Sequence, residues 1–372
     1  MRKGIYALAN EYGWANQQLT KNCGLVPYLF QEMYGYRAVI VGTRPDRDYP
    51  GQQYIPGVEL DPLPNGRPET ACAYITQHAA DMDVLVLHGP FPFYEKPVEL
   101  YRQLRPDGKI YLELDPNIHS MDKLEWAEPA FTAFLQSCDV IGSSGHSMQC
   151  YLSAKWPCVI DYLPNGFYDL TGTYRPMQEQ DFQRKEPIIL TVGRIGTGQK
   201  NNACLVRAFL QVCQQFPEWR LLMVGPVESA FQAEMEELWA SEPGLRERIL
   251  MPGPIQDKVS LWQLYRRVRI FALTSTLEGG TPNVVAEALM HGCYTVMSDY
   301  DAADDATDNG RCGQKFALAE PEALPELLRS ILAQPDLLAA GGRRAYAYAQ
   351  ENFDFVKIVQ RLHYLLEKAG RN

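Results

Sequence analysis

Two carboxylates, Glu278 and Glu287, bracket a short run of Gly279, Gly280, Thr281, Pro282, Asn283 and Val284. The run cannot continue the apolar strand that ends at Leu273. Pro282 suits the first turn of a helix, where its missing N–H costs nothing. A helix is expected over 283–290, with Gly292 placed to end it. The backbone N–H groups of Thr281, Asn283 and Val284 then lie at the positive end of that helix and form an anion site, with Gly280 at its mouth. A phosphate seeks those N–H groups, whereas carboxylates repel it but accept hydrogen bonds from hydroxyls. A ligand with phosphates and several hydroxyls, such as a nucleotide sugar, satisfies both. The plainer alternative is a glycine turn capping an ordinary crossover helix.

A second set of residues follows the apolar run 188–192: Gly193, Arg194, Gly196, Gly198 and Lys200. The glycines allow close backbone approach to a ligand. Arg194 and Lys200 place two positive charges at a strand's carboxyl end, which is what burying a diphosphate requires. The alternative is a solvated basic loop. A Walker loop fits worse, because no Gly-Lys-Ser or Gly-Lys-Thr occurs. Earlier in the chain, His88 and Asp115 close two consecutive apolar runs, again at carboxyl ends. Trp14 sits in a loop after the first run and is a candidate platform for a sugar ring.

These positions require strands and helices in alternation. Strands are expected over 4–8, 38–41, 84–88, 109–114, 140–142 and 159–163, with helices over 25–34, 71–80 and 97–104. Residues 43–68, rich in Pro, Gly and Asp, read as an irregular excursion. The alternation resumes with strands over 188–192, 220–224, 249–251, 270–273 and 294–297. Helices are expected over 203–216, 231–240 and 261–268. Two α/β units with parallel, doubly wound sheets follow from this pattern. The expected divisions are a first domain over 1–170, a polar linker over 171–186, a second domain over 187–354, and a C-terminal helix within 355–372 that crosses back to the first.

The length of 372 residues accommodates two domains. Net charge is −10, concentrated in the first 170 residues, so a broad nucleic-acid-binding surface is not expected. An anionic membrane is likewise disfavoured as a partner of the first domain. The nine cysteines form no CxxC pair and no zinc-like cluster with histidine, which fits reduced thiols in a cytoplasmic setting. Met1-Arg2-Lys3-Gly4 leads straight into a strand, so no signal peptide is expected. No apolar run is long enough for a transmembrane helix.

Residues 274–299, with Gly193-Arg194 and Lys200, resemble the donor-site motifs of retaining glycosyltransferases of family 4, the glycosyl transferases group 1. That family usually has seven residues between its two glutamates; here there are eight. An extra glycine ahead of the helix is absorbed by the loop, whereas one inside it would rotate a carboxylate by about 100°. The resemblance implies a GT-B fold, two Rossmann-like domains facing across a cleft. It also implies sugar transfer from a nucleoside diphosphate sugar, UDP-sugar favoured, to a glycan, glycolipid or protein, with retained anomeric configuration. Arg194 and Lys200 would hold the diphosphate, Glu278 the donor sugar, Glu287 the ribose, and the loop around Ile255 the nucleobase. Asp115 falls where the family often has a His or Asp facing the reacting sugar, and His88 and Trp14 would lie on the acceptor side. The turn Leu163-Pro164-Asn165-Gly166 resembles the family's Pro-Asn-Gly turn, with a structural role expected. The two basic side chains and the helix end replace a metal, so neither metal nor cofactor is expected. Two other readings are a GT-B sugar-nucleotide epimerase and a non-catalytic glycosyltransferase-like partner subunit.

Overall fold

The computed structural model describes residues 3–125 and 127–369. The chain forms two compact units. One combines the described parts of Met1–Leu170 and Phe355–Asn372; the other is Thr171–Asp354.

Among the described residues, the first unit holds a seven-stranded sheet. Its strands are β1 (Gly4–Leu8), β2 (Arg37–Gly42), β3 (Glu59–Pro62), β4 (Val84–His88), β5 (Lys109–Leu114), β6 (Val140–Ser143) and β7 (Asp161–Tyr162). All pairs are parallel, in the order β3-β2-β1-β4-β5-β6-β7. Strand side chains alternate between faces, and here both faces are apolar. Tyr6, Leu8, Val39 and Leu85 enter one buried cluster, with Val98 and Phe134 from covering helices. Ile5, Ala7, Ala38 and Val84 enter the other, with Leu25 and Leu29 of the helix Asn22–Tyr34. Phe355, Val359, Leu362 and Leu366 of the C-terminal helix Phe355–Lys368 complete that second cluster.

The second unit holds a six-stranded parallel sheet among the described residues: β8 (Glu186–Val192), β9 (Arg220–Val224), β10 (Ile249–Gly253), β11 (Val268–Leu273), β12 (Tyr294–Ser298) and β13 (Gly313–Phe316). Their order is β10-β9-β8-β11-β12-β13. In each sheet the winding reverses once, beside β1 and β4 in the first and beside β8 and β11 in the second. Loops at the carboxyl ends of such a pair part and leave a crevice for ligands.

The doubly wound α/β architecture expected from the alternation is present. Several details differ. The excursion 43–68 contains β3, a short edge strand, and the turn Pro50–Tyr54. The strand expected over 159–163 pairs only at Asp161 and Tyr162. Pro282 is the N-cap of the helix Asn283–Met290 and not its first residue, with ψ 145° still extended. The polar segment 171–186 is ordered: it carries the helix Glu179–Gln183 and the first residue of β8. Asp181 in that segment accepts from Arg175 at 2.7 and 2.8 Å and from Arg266 at 2.8 Å.

Candidate active site

In the second unit the loop after β8 is tied to the loop after β9 at Gly193 and Gly225, and to the loop after β11 through Gln199, Lys200 and Asn201. Gly193 and Gly225 approach so closely that a Cβ on Gly225 would lie 1.7 Å from the Gly193 carbonyl oxygen. Gly225 also has φ +145°, so only glycine fits there. Asn202 accepts from the Gly196 N–H at 2.8 Å, which closes the loop onto the start of the helix Asn202–Val212. The Thr274 hydroxyl spans the Lys200 and Asn201 carbonyls, each at 3.0 Å. The Thr276 N–H donates to the Gln199 carbonyl at 2.8 Å, and the Gln199 amide donates to the Leu277 carbonyl at 2.9 Å.

This frame brings three of the expected residues together. Lys200 donates to Glu278 in an ion pair whose side chains are only 14% and 10% exposed. Arg194, more exposed, is tied to the same loop through Gln199 Oε1 at 2.6 Å. Gly280 and Thr281 are buried, and Asn283 and Val284 are half-buried at the start of the helix Asn283–Met290. Glu287, one turn on, pairs with Lys258 at 3.1 Å. Burial raises the Tyr265 hydroxyl well above its ordinary value, and the nearby Glu287 carboxylate adds to that rise. Ile255 is half-buried in the loop between β10 and the helix Lys258–Arg267.

Sequence reasoning missed Lys258 and Gln199. A local signal existed for Lys258: Asp257 caps its helix by accepting from the Ser260 N–H at 2.8 Å, which places Lys258 at the first helical position. Nothing local marks Gln199, whose partner Leu277 lies 78 residues away.

The first unit gathers a separate polar group at the ends of β4 to β7. His88 Nδ1 lies 2.5 Å from Glu113 Oε2 and 3.6 Å from Cys23 Sγ. Asn22 Nδ2 donates to Glu113 Oε1 at 2.6 Å and to Asn165 Oδ1 at 2.7 Å. Asn165 Nδ2 donates to Asp115 Oδ1 at 3.2 Å, and the Ser144 hydroxyl donates to that same oxygen. Burial lowers the His88 imidazole, but the acidic groups of Cys23 and Glu113 outweigh it and raise the ring to about 10. Asp115 is an exposed residue in the loop after β5, with its carboxylate held by Ser144 and Asn165. Desolvation there raises its carboxyl to about 6, with Glu113 adding to the rise and Ser144 and Asn165 opposing it.

Trp14 does not take the place expected of it. Its side chain belongs to a residue only 5% exposed, the indole N–H donates to the Val41 carbonyl at 3.1 Å, and the ring meets His88 edge-on at 5.0 Å. A ring covered by its own chain has no face left for a sugar. Tyr12, in the same loop, is 71% exposed. Among the described residues, no group of three or more His, Cys, Asp or Glu side chains could hold a metal ion. No helix among them is long and apolar enough to cross a membrane.

Residues 186–334 match the model of the glycosyl transferases group 1. A lipopolysaccharide core biosynthesis mannosyltransferase of Rhizobium leguminosarum bv. viciae is 31% identical over 159 residues, covering 42% of this chain. The match spans 44% of that protein, less than half its length. Among solved structures, sucrose-phosphate synthase from Thermosynechococcus elongatus is similar with a TM-score of 0.74 at 18% identity, over 98% of this chain and 99% of that one. Anabaena HepE in complex with UDP is similar with a TM-score of 0.73 at 17% identity, with the same coverage of 98% and 99%. At these identities the structural likeness concerns the fold. The chain has the GT-B fold, and its residues 186–334 match the glycosyl transferases group 1.

Proposed function

We propose that the protein is a glycosyltransferase that moves a sugar from a nucleoside diphosphate sugar to a hydroxyl of a glycan, glycolipid or protein. The observation that carries this reading is the assembly of Arg194, Lys200 and Glu278 beside a helix N-terminus at the β8/β11 crevice. A diphosphate leaving group develops negative charge. Two cations and oriented N–H groups stabilise that charge, and Lys200 would exchange Glu278 for phosphate oxygen when the donor binds. Glu278, released, would accept a hydroxyl of the donor sugar. Glu287, held by Lys258, would accept ribose hydroxyls. Ile255 would line the base, and Asp115 would serve as the acceptor-side carboxylate. These charges do the work a metal would do, so the reaction is proposed to be metal-independent.

UDP is the favoured nucleotide, a choice supported by the HepE complex with UDP. A glycolipid or glycan acceptor is supported by the partial match to a lipopolysaccharide core mannosyltransferase. Retention of configuration is part of the proposal, from the resemblance of the donor motifs. A thermal-shift panel of nucleoside diphosphates and their sugars tests the binding step. A true ligand at 100 times its dissociation constant should add about 2.7 kcal/mol of stability. Turnover with acceptor mixtures, with the product's anomeric configuration read by NMR, tests the chemistry. No stabilisation by any nucleotide would overturn the proposal. Turnover of the sugar nucleotide alone into its epimer would replace it with the epimerase reading.

A further inference from the structure

Glu113 is 5% exposed and sits at the end of β5 between buried Leu112 and Leu114. An unpaired carboxylate in such a place is expensive. The structure pairs it on both oxygens: with His88 on one, and with Asn22 on the other. The amides then have one workable orientation. Asn22 turns both N–H bonds outward, one to Glu113 and one to Asn165 Oδ1, because its own carbonyl oxygen would repel the Glu113 carboxylate. Asn165 has its oxygen occupied and directs its N–H to Asp115. Asn22 therefore donates in two directions, to Glu113 and to Asn165, and Asn165 donates on to Asp115, which also accepts from the Ser144 hydroxyl.

We propose that Glu113 is a positioning residue: it holds His88 in place and, through Asn22 and Asn165, sets the orientation and charge of Asp115. The role of Asp115 in turnover rests on the glycosyltransferase reading; the coupling itself does not. Side chains fixed by such hydrogen bonds hold a reacting group within a narrow range of geometry. The charged and titratable groups facing this network are Lys21 and Tyr111 near Asp115, and Cys23 near His88. Glu11 and Tyr94 are coupled to the same region, with the Tyr94 hydroxyl committed to the Leu8 carbonyl at 3.0 Å.

Two substitutions have opposite signs. Glu113→Gln keeps an acceptor for Asn22 but removes the charge that repels Asp115. Asn165→Ala removes a hydrogen bond that stabilises the ionised Asp115. Glu113→Gln should lower kcat roughly tenfold or more and move the acidic limb of its pH profile to lower pH by roughly half a unit or more. Asn165→Ala should move that limb to higher pH. Both should bind UDP as the parent does, since the nucleotide groups lie on the other unit. The His88 ring, followed by NMR and assigned by loss of its signals in His88→Gln, should stay doubly protonated from pH 6 to 8. In Glu113→Gln it should titrate near the ordinary value of about 6.5. Parent-like kcat and parent-like limbs in both variants would overturn the proposal, as would ordinary titration of His88 in the parent. If Glu113→Gln fails to fold, the direction of the Asn165→Ala limb decides. If the parent turns over no nucleotide sugar, the proposed function falls. The Asp115 carboxyl titration, read by carbon NMR in parent and variants, then decides the coupling on its own.

Discussion

At the scale of single residues, charge pairing governs behaviour. Lys200 is held by Glu278, so a diphosphate must compete with a carboxylate already in place. Lys200→Ala should still weaken nucleoside diphosphate binding by about 1.5–3 kcal/mol, the worth of a hydrogen bond to a charged group. Titration calorimetry measures this, and unchanged affinity would remove the loop from the site. The two glutamates should separate. Glu287→Ala should impair UDP and UDP-sugar alike, because both carry the ribose. Glu278→Ala should bind free UDP at least as tightly, since Lys200 loses its competitor, and slow turnover; the reverse pattern in the same titrations would exchange their roles. His88 supplies a pH test. Its folded value, about 10, lies above the unfolded one, so its stabilisation is full below about 6.5 and is lost as pH rises through 10. The melting-temperature gap between the parent and His88→Gln should therefore be widest near pH 6 and close as pH approaches 10.

At the scale of elements, the legible parts were those with local periodicity. The apolar runs of β1, β2, β4, β5, β8, β9 and β11 are each buried on two faces, so composition alone marks them. The short strands β3 and β13 carry few apolar residues, Glu59–Pro62 and Gly313–Phe316, and pairing with a neighbour defines them more than their own pattern does. Segment 171–186 shows the same limit. Its sequence is polar and aperiodic, yet Asp181 ties it to Arg175 and to Arg266, 85 residues downstream. The Arg175 hydrogen bonds hold the Asp181 carboxyl down to about 2, against the opposing effect of burial and with help from the Gln178 N–H and Arg266. This depressed value means the stabilisation is present above about 3.8 and lost as pH falls through 2. Asp181→Asn should destabilise the second unit by about 1–3 kcal/mol, read as a lower urea midpoint at pH 7. An unchanged midpoint would make the segment a tether and nothing more.

At the scale of the whole molecule, the first unit is built from both ends of the chain. Phe355, Val359, Leu362 and Leu366 are buried in its core, each worth about 1.5–3 kcal/mol of apolar burial. A chain ending at Asp354 should therefore lose the cooperative melting of the first unit, while the second, with its own core, still unfolds as a unit in calorimetry. A parent-like first transition would show that the helix is dispensable. The sequence by itself determined the alternation of strands and helices, the glycine loops at strand ends, and the types of group available for a phosphate and for hydroxyls. These are local properties, readable from the spacing of apolar residues and from backbone freedom. Only the tertiary structure decided which charges meet. Lys200 reaches Glu278 across 78 residues, and Asn22 reaches Asn165 across 143. It also decided that Trp14 is packed away under His88. Those outcomes depend on the order of strands in each sheet, which places loops distant in sequence at the same end of the fold.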